Sequence, residues 1–297
     1  MAVQDTILAD ANLSTKVVPQ RVLVWEAFKR HKLAMISAVV FFIMMVACFS
    51  APLIAPYEFD AINLGAIRQP PSWENLMGTD DLGRDLFTRI LYGGRISILI
   101  GIFSALVGTG VGALVGSLAG FYGGKLDNYL MRFTDMAYSI PTLPLLIVLS
   151  SFTKAAVPMM VAIIGFLSWM PTARVVRGSV LSIKEKEFVE AARMIGAPDR
   201  TIIGRHILPN AIGPIIVGVT LGVGNAIIVE SSLSFLGLGV QPPTPTWGNM
   251  LMDSQSTMAT KPWLTIFPGM AILLIVLAVN FLGDGLQDAL DPTLRKR

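Results

Sequence analysis

Charge is what this sequence has least of. Its 297 residues include 23 Lys and Arg and 20 Asp and Glu, 14% of the chain, where a soluble globular domain of this length carries roughly 74 charged residues. Cysteine occurs once, at Cys48, which excludes an intrachain disulfide framework and a four-cysteine zinc site. The two histidines, His31 and His206, stand far apart and read as a solvated flank residue and a loop contact; no metal centre is expected. No Gly-x-x-x-x-Gly-Lys-Ser/Thr loop is present, so the chain has no phosphate cradle of that kind. The low charge also excludes disordered and fibrous chains, and a nucleic-acid partner is not expected. What is abundant is apolar surface, at 53% of residues and a mean hydropathy of +0.64. These residues are gathered in blocks too long for strands, the pattern of an all-α polytopic membrane protein.

Six spans are expected: Leu33 to about Ala55, Ile96 to Ala119, Met136 to Phe152, Ala155 to Met170, Ala211 to Glu230 and Leu264 to Leu282. The first is too long and starts too late for a signal peptide. The third and fourth are short and carry Pro144 and Pro158, so one broken or re-entrant element is the alternative. With the N-terminus inside, the cytoplasmic segments hold 17 basic and 12 acidic residues, and the opposite loops six basic against at least seven acidic. The excess of Lys and Arg places both termini in the cytoplasm. The expected organisation is a cytoplasmic tail over 1–27, the first span with its outer loop over 28–95, a core over 96–292 and a short cytoplasmic tail over 293–297.

Gly108, Gly112, Gly116 and Gly120 recur every fourth residue along the second expected span. That stripe lets another backbone approach, either for internal packing or along a moving interface. Pro144, Pro158, Pro214 and Pro268 lie in or near spans as potential kinks. No span carries a central carboxylate or an Asp–Arg pair, and Glu230 sits at an outer end. Any energy source for transport is therefore expected outside this chain. Outside the spans, Asp80, Asp81, Arg84 and Asp85 form a charged group in the first outer loop. They suit docking of a partner protein or an internally salt-bridged cap.

The long inner loop, 183–210, reads IKEKEFVEAARMIGAPDRTIIGRHILPN. Phe188, Ala191, Ala192 and Ile195 fall at i, i+3, i+4 and i+7, which predicts a short amphipathic helix with Lys186, Glu190 and Arg193 on its other sides. Gly196-Ala197-Pro198 ends it, and a second helical stretch with Ile202, Ile203 and Ile207 runs to Pro209. A lie on membrane lipid is one reading of this helix. The small Ala-Ala centre fits a tight protein groove better than lipid, where bulkier side chains bury more area.

This loop resembles the EAA loop of permease subunits of bacterial ABC importers: Glu190, Ala191 and Ala192, three residues, Gly196, then Leu208 and Pro209. His206 stands where the wider pattern often has Ile. The FKRHKLA and APLIAPY stretches flanking the first span, residues 78–97, 235–251 and 267–292 narrow the resemblance to the C-type permease of dipeptide, oligopeptide and nickel importers, over roughly residues 28 to 292. It implies a type I importer permease of six spans in the cell's inner, cytoplasmic membrane. It also implies a paralogous permease subunit, one or two ABC ATPase subunits holding ATP and Mg, an extracytoplasmic solute-binding protein and a peptide substrate. Nickel complexes, glutathione or another small solute are the alternatives within that class; an ion-coupled secondary carrier is the alternative outside it. This chain is expected to hold no cofactor and to be noncatalytic. Phe188, Glu190, Ala191, Ala192, Ile195, Gly196 and Pro209 are expected to couple to the ATPase.

Overall fold

The structure is a computed structural model and describes residues 20–152 and 156–290. The expected tails therefore lie outside the described residues up to residue 19 and from residue 291 onward. Among the described residues every regular element is helical: α1 (Gln20–Arg30), α2 (Lys32–Phe49), α3 (Ala51–Ile54), α4 (Leu86–Tyr122), α5 (Gly124–Ser139), α6 (Thr142–Ser151), α7 (Val157–Phe166), α8 (Met170–Ile183), α9 (Glu187–Met194), α10 (Asp199–Thr201), α11 (Ile212–Phe235), α12 (Trp247–Ser254) and α13 (Trp263–Leu290). A π-helical stretch, Ile202–Ile207, continues α10.

Among the described residues four helices, α2, α4, α11 and α13, are individually long and apolar enough to cross a membrane. Two bent pairs raise the number to six if each pair forms one span: α5 with α6, bent by 77°, and α7 with α8, bent by 49°. The sequence boundaries need correction at both pairs. The expected third span, Met136–Phe152, straddles the break at Ile140 and Pro141. The expected fourth stops at Met170, where α8 begins. The stretches 124–139 and 170–183, expected largely as loops because they are charged, are helices whose charges pair. Arg177 makes a two-pronged contact with Asp127 at 2.5 and 2.6 Å, and Arg174 meets Asp135 at 2.7 Å. Three of the four prolines bend nothing, because Pro144, Pro158 and Pro214 occupy first turns, where the missing N–H has no helical partner. Only Pro268 sits deeper, inside α13.

The longest helix, α4, has 37 residues. At 1.5 Å per residue it extends about 55 Å, well beyond a hydrocarbon layer of about 30 Å. It begins ten residues before the expected second span, because Asp85 caps it, its carboxylate accepting the Thr88 N–H at 2.8 Å. Arg89 and Arg95 had marked this stretch as loop. The Arg89 charge is instead balanced within the fold, as described below. At the other end of the molecule, His31 is not merely a solvated flank: its Nδ1 accepts the Ala34 N–H at 3.1 Å and caps α2.

The core forms around α4. Ile90 and Ile98 pack with Cys48 of α2, Ile227 of α11, Trp247 of α12 and Ile275 of α13. Trp247 is fully buried, and its indole N–H donates to the Ile90 carbonyl at 3.0 Å. The glycine stripe faces α7 and α8. A Cβ on Gly112 would lie 2.6 Å from the Trp169 carbonyl oxygen, and one on Gly120 would lie 2.9 Å from Val180 Cβ. Likewise Gly108 lies against Ser168 and Gly165, and Gly116 against Ala173 and Arg177. Backbone meets backbone along this line.

Candidate functional site

At the end of the molecule where α4 terminates, α9 forms because EFVEAARM combines helix-favouring residues with Glu187 and Glu190 in its first turn, where the helix dipole favours negative charge. Two bonds close it. The Gly196 N–H donates to the Arg193 carbonyl at 2.9 Å, and the Ala197 N–H to the Ala192 carbonyl at 3.1 Å. With Gly196 at φ +76°, this is a Schellman stop, whose left-handed residue is ordinarily glycine. A Cβ there would meet nothing within 4 Å, so the backbone, not crowding within the chain, calls for glycine.

The helix packs on its own chain by a face that shares only Ala192 with the apolar stripe. Val189 and Ala192 are buried against Phe121, Val176, Val180, Ile202 and Ile207. Phe188, at 43%, Ile195, at 85%, and Met194, at 84%, are exposed, as are Glu190 and Ala191. The predicted stripe thus divides, and only Ala192 belongs to the buried side. The remaining residues form a small-centred apolar surface open to solvent. The spacing of apolar residues marked Phe188 and Ile195 equally well, and Val189, the true anchor, was missed. It lies three residues before Ala192, the signal that identifies it.

The segment after α9 explains how this anchor is held. The Leu208 N–H reaches back five residues to the Ile203 carbonyl at 2.8 Å. The wider π winding carries Ile202 and Ile207, five apart, onto one side under α9. Pro209 is exposed immediately before α11, and His206 is half-buried, its carbonyl accepting from Asn210 at 2.6 Å. Arg193 lies over the Phe121 ring, 5.4 Å from its centroid, and Lys184 donates to the Gly120 carbonyl at 3.0 Å. α9 and the stretch after it are thus packed against α4 and α8.

At the opposite end of α4 the four charged residues are drawn inward. Asp80 accepts from Arg84 Nε at 2.7 Å and lies 3.3 Å from Arg89 Nε. Its other oxygen accepts the Leu82 and Arg84 N–H groups, both at 2.9 Å. Asp85 accepts from Asn75 at 2.9 Å while capping α4. None of Asp80, Arg84 and Asp85 is more than 9% exposed, and all three are bonded within the cap. Asp81 is half-exposed and paired to Arg68 at 2.6 Å. Sequence reasoning missed Arg89 and Asp253, because they reach this cluster from α4 and from the distant α12.

Glu230 lies in the last turns of α11, five residues before its end. It is fully buried within α11. Ser234 donates to one carboxylate oxygen at 2.7 Å and Ser97 of α4 to the other at 3.2 Å. Ser97 Oγ also accepts the Trp247 N–H at 3.3 Å, tying α4, α11 and α12 together. Replacing Glu230 with alanine leaves buried hydroxyls without an acceptor, at about 1–3 kcal/mol each. We expect a clear fall in the melting temperature of the purified protein, with Glu230→Gln recovering most of it; equal melting of alanine variant and parent would show that the cluster carries no stability. Among the described residues, no group of three or more His, Cys, Asp or Glu side chains is arranged to hold a metal ion.

Residues 112–296 match the family described as binding-protein-dependent transport system inner membrane component. The chain belongs to this family. Residues 20–71 match the N-terminal transmembrane domain of oligopeptide transport permease C. It is thus an ABC-importer permease subunit. A protein named as a peptide permease in Brucella suis biovar 1 is 42% identical over 267 residues, 89% of this chain and 88% of the relative. The glutathione transport system permease protein GsiD of Pectobacterium atrosepticum is 42% identical over 277 residues, 91% of this chain and 90% of that protein. A solved chain of the inward-facing MetNI methionine ABC transporter aligns with a TM-score of 0.54 at 20% identity, covering 68% of this permease and 96% of that chain. This last likeness concerns the fold.

Proposed function

We propose that this permease subunit imports peptides or peptide-like solutes, glutathione among them, across the cytoplasmic membrane, and that α9 with the π-helical stretch transmits ATPase motion. The carrying observation is the divided face of α9: one side fixed to α4 and α8 through Val189 and Ala192, the other, with Phe188, Glu190, Ala191 and Ile195, left open. An anchored helix with a free, small-centred surface suits a partner groove. Gly196 then sets the turn that leads toward Pro209. In this reading both termini and α9 are cytoplasmic, and the chain is noncatalytic, with ATP and Mg held by one or two ATPase subunits. A paralogous permease completes the pathway in the surrounding lipid.

The solute's route has a candidate surface. A groove of about 1300 Å³ runs over α4 between α8 and α11, and its polar lining includes Thr109, Ser168, Thr172, Ser179, Asn210 and Asn225, with no charged side chain. Uncharged hydrogen-bonding groups favour peptide amides without selecting for side-chain charge. The glycine stripe beneath this groove holds α8 close to α4, so both can move as one wall. At the cap end, an extracytoplasmic solute-binding protein meets loop side chains such as Trp73, 98% exposed, and Leu76, because Asp80, Arg84 and Asp85 are committed internally.

Gentle detergent purification of the tagged chain followed by mass spectrometry tests this assembly. We expect a second permease and P-loop ATPases to remain bound, and reconstituted vesicles to take up peptide only with ATP and the solute-binding protein. A stable homo-oligomer driving ion-coupled uptake by itself would overturn the reading.

A further inference from the structure

One face of α5 is left open by its own chain. Leu126, Tyr129, Phe133, Met136 and Ile140 follow one another at spacings of three, four, three and four residues, the alternation that keeps a narrow apolar seam on one side of a helix. All five are exposed, from 42% at Leu126 to 73% at Tyr129. Four lie within α5 and Ile140 caps it, so the seam runs about 21 Å at 1.5 Å per residue. Phe133 leans on Trp169, 6.2 Å between ring centroids, and is still 58% exposed. The other side of α5 is fixed to α8: Asp127 holds Arg177, Asp135 holds Arg174, and Thr134 is buried.

Lipid is a poor match for this seam. The spanning helix α2 exposes Leu33, Ile36, Val39, Phe42 and Ile43 over a broad face and carries no charged residue beyond Lys32. On α5 the apolar strip is narrow and Lys125 and Arg132 border it. A seam of this spacing receives the side chains of a second helix, and charge selects which helix. With Leu126 and Phe133 at heptad position a and Tyr129 and Met136 at d, Lys125 and Arg132 both fall at g, where a facing helix's charges are met. Both are exposed and form no ion pair among the described residues. The carboxylates of the same helix, Asp127 and Asp135, are taken by α8. A second copy packed antiparallel would set g against g, like charge on like. Packed parallel, it would offer Leu130 and Ala137 at e, with no carboxylate for either cation. A helix of a different chain, with Asp or Glu along its edge, satisfies both.

We propose that α5 packs by this seam against an acid-flanked helix of the paralogous permease subunit. The proposal rests on the reading of this chain as one half of a two-permease importer. It puts the contact between the halves on the helix that starts where α4 ends, with two ion pairs joining it to α8, the helix that leads into α9.

The test places the photo-crosslinking residue p-benzoylphenylalanine, one position at a time, at Tyr129, at Met136 and at Phe42 on the broad face of α2, in tagged permease within the whole importer in its native membrane. Mass spectrometry identifies the adducts formed on irradiation. Tyr129 and Met136 should join the second permease, at least tenfold more than Phe42 does. Lys125→Glu with Arg132→Glu should cut co-purification of the second permease at least tenfold, and Lys125→Arg with Arg132→Lys should retain it; an unchanged melting temperature identifies intact variants. Adducts at both seam positions with a second copy of this chain, with an ATPase or with lipid alone, or no more adduct than at Phe42, overturn the proposal. Full co-purification with an intact double-glutamate variant overturns it as well. Purification of the parent separates the two readings: if no second permease accompanies it, the two-permease reading fails, whereas a bound second permease with seam adducts elsewhere refutes only the seam.

Discussion

Replacing Gly196 with arginine is expected to abolish coupled transport, reducing ATP-dependent uptake by two orders of magnitude or more, while the permease remains in the membrane. Gly196 holds φ +76°, a conformation that costs a side-chain-bearing residue roughly 1–2 kcal/mol. To relieve that strain, the chain must give up the bonds from the Gly196 and Ala197 N–H groups to Arg193 and Ala192. The end of α9 then loosens while Val189 remains buried, so insertion survives and alignment of Phe188, Glu190 and Ala191 does not. Arginine also carries its length into the space that the proposed ATPase groove occupies. Gly196→Asn separates the two effects, because asparagine tolerates the left-handed region: it should keep most ATPase binding and a substantial share of uptake. Co-purification of the ATPase and vesicle uptake measure both. Normal association and uptake by the arginine variant would refute the assignment of this turn to coupling.

The order of helices and the break after α9 were legible in the sequence because both depend on local chemistry. Apolar blocks set the four long helices, and Gly196-Ala197-Pro198 stops α9 with little help from the rest of the chain. Boundaries failed where a charge finds its partner far away in sequence. Arg89 reads as loop until Asp80 and Asp253 are seen beside it, and Arg177 reads as a solvated loop residue until Asp127 receives it. The same limit affected the candidate site. Periodicity identified an apolar stripe on α9 but not the portion buried by Ile202 and Ile207, because a π-helical turn determines where those two side chains lie. For Glu230, Ser231 and Ser234 stood next to it in the sequence, yet Ser97 and Trp247 complete the cluster from α4 and α12.

Gly112→Val is expected to produce a large loss of folded protein. The added Cβ would sit 2.6 Å from the Trp169 carbonyl oxygen, 2.7 Å from Thr172 Cβ and 3.0 Å from the Ala173 N–H nitrogen. Two of these neighbours are backbone atoms at the start of α8, which cannot rotate aside as a flexible side chain can. The helices must separate, and overpacking of this kind costs typically about 1–3 kcal/mol. Separation propagates because Gly108, Gly116 and Gly120 face the same partner segment: relieving one contact pulls Gly116 from Ala173 and Gly120 from Val180. Valine at Gly110 supplies the control. That position lies on the same helix and a Cβ there meets nothing within 4 Å, so hydropathy and helix propensity change alike while packing does not. Tryptophan fluorescence on heating the detergent-purified protein should show a melting temperature several degrees lower for Gly112→Val and near the parent for Gly110→Val. Equal shifts in the two variants would mean that the close approach of α4 and α8 contributes nothing to stability, and that the stripe serves a moving surface rather than a fixed wall.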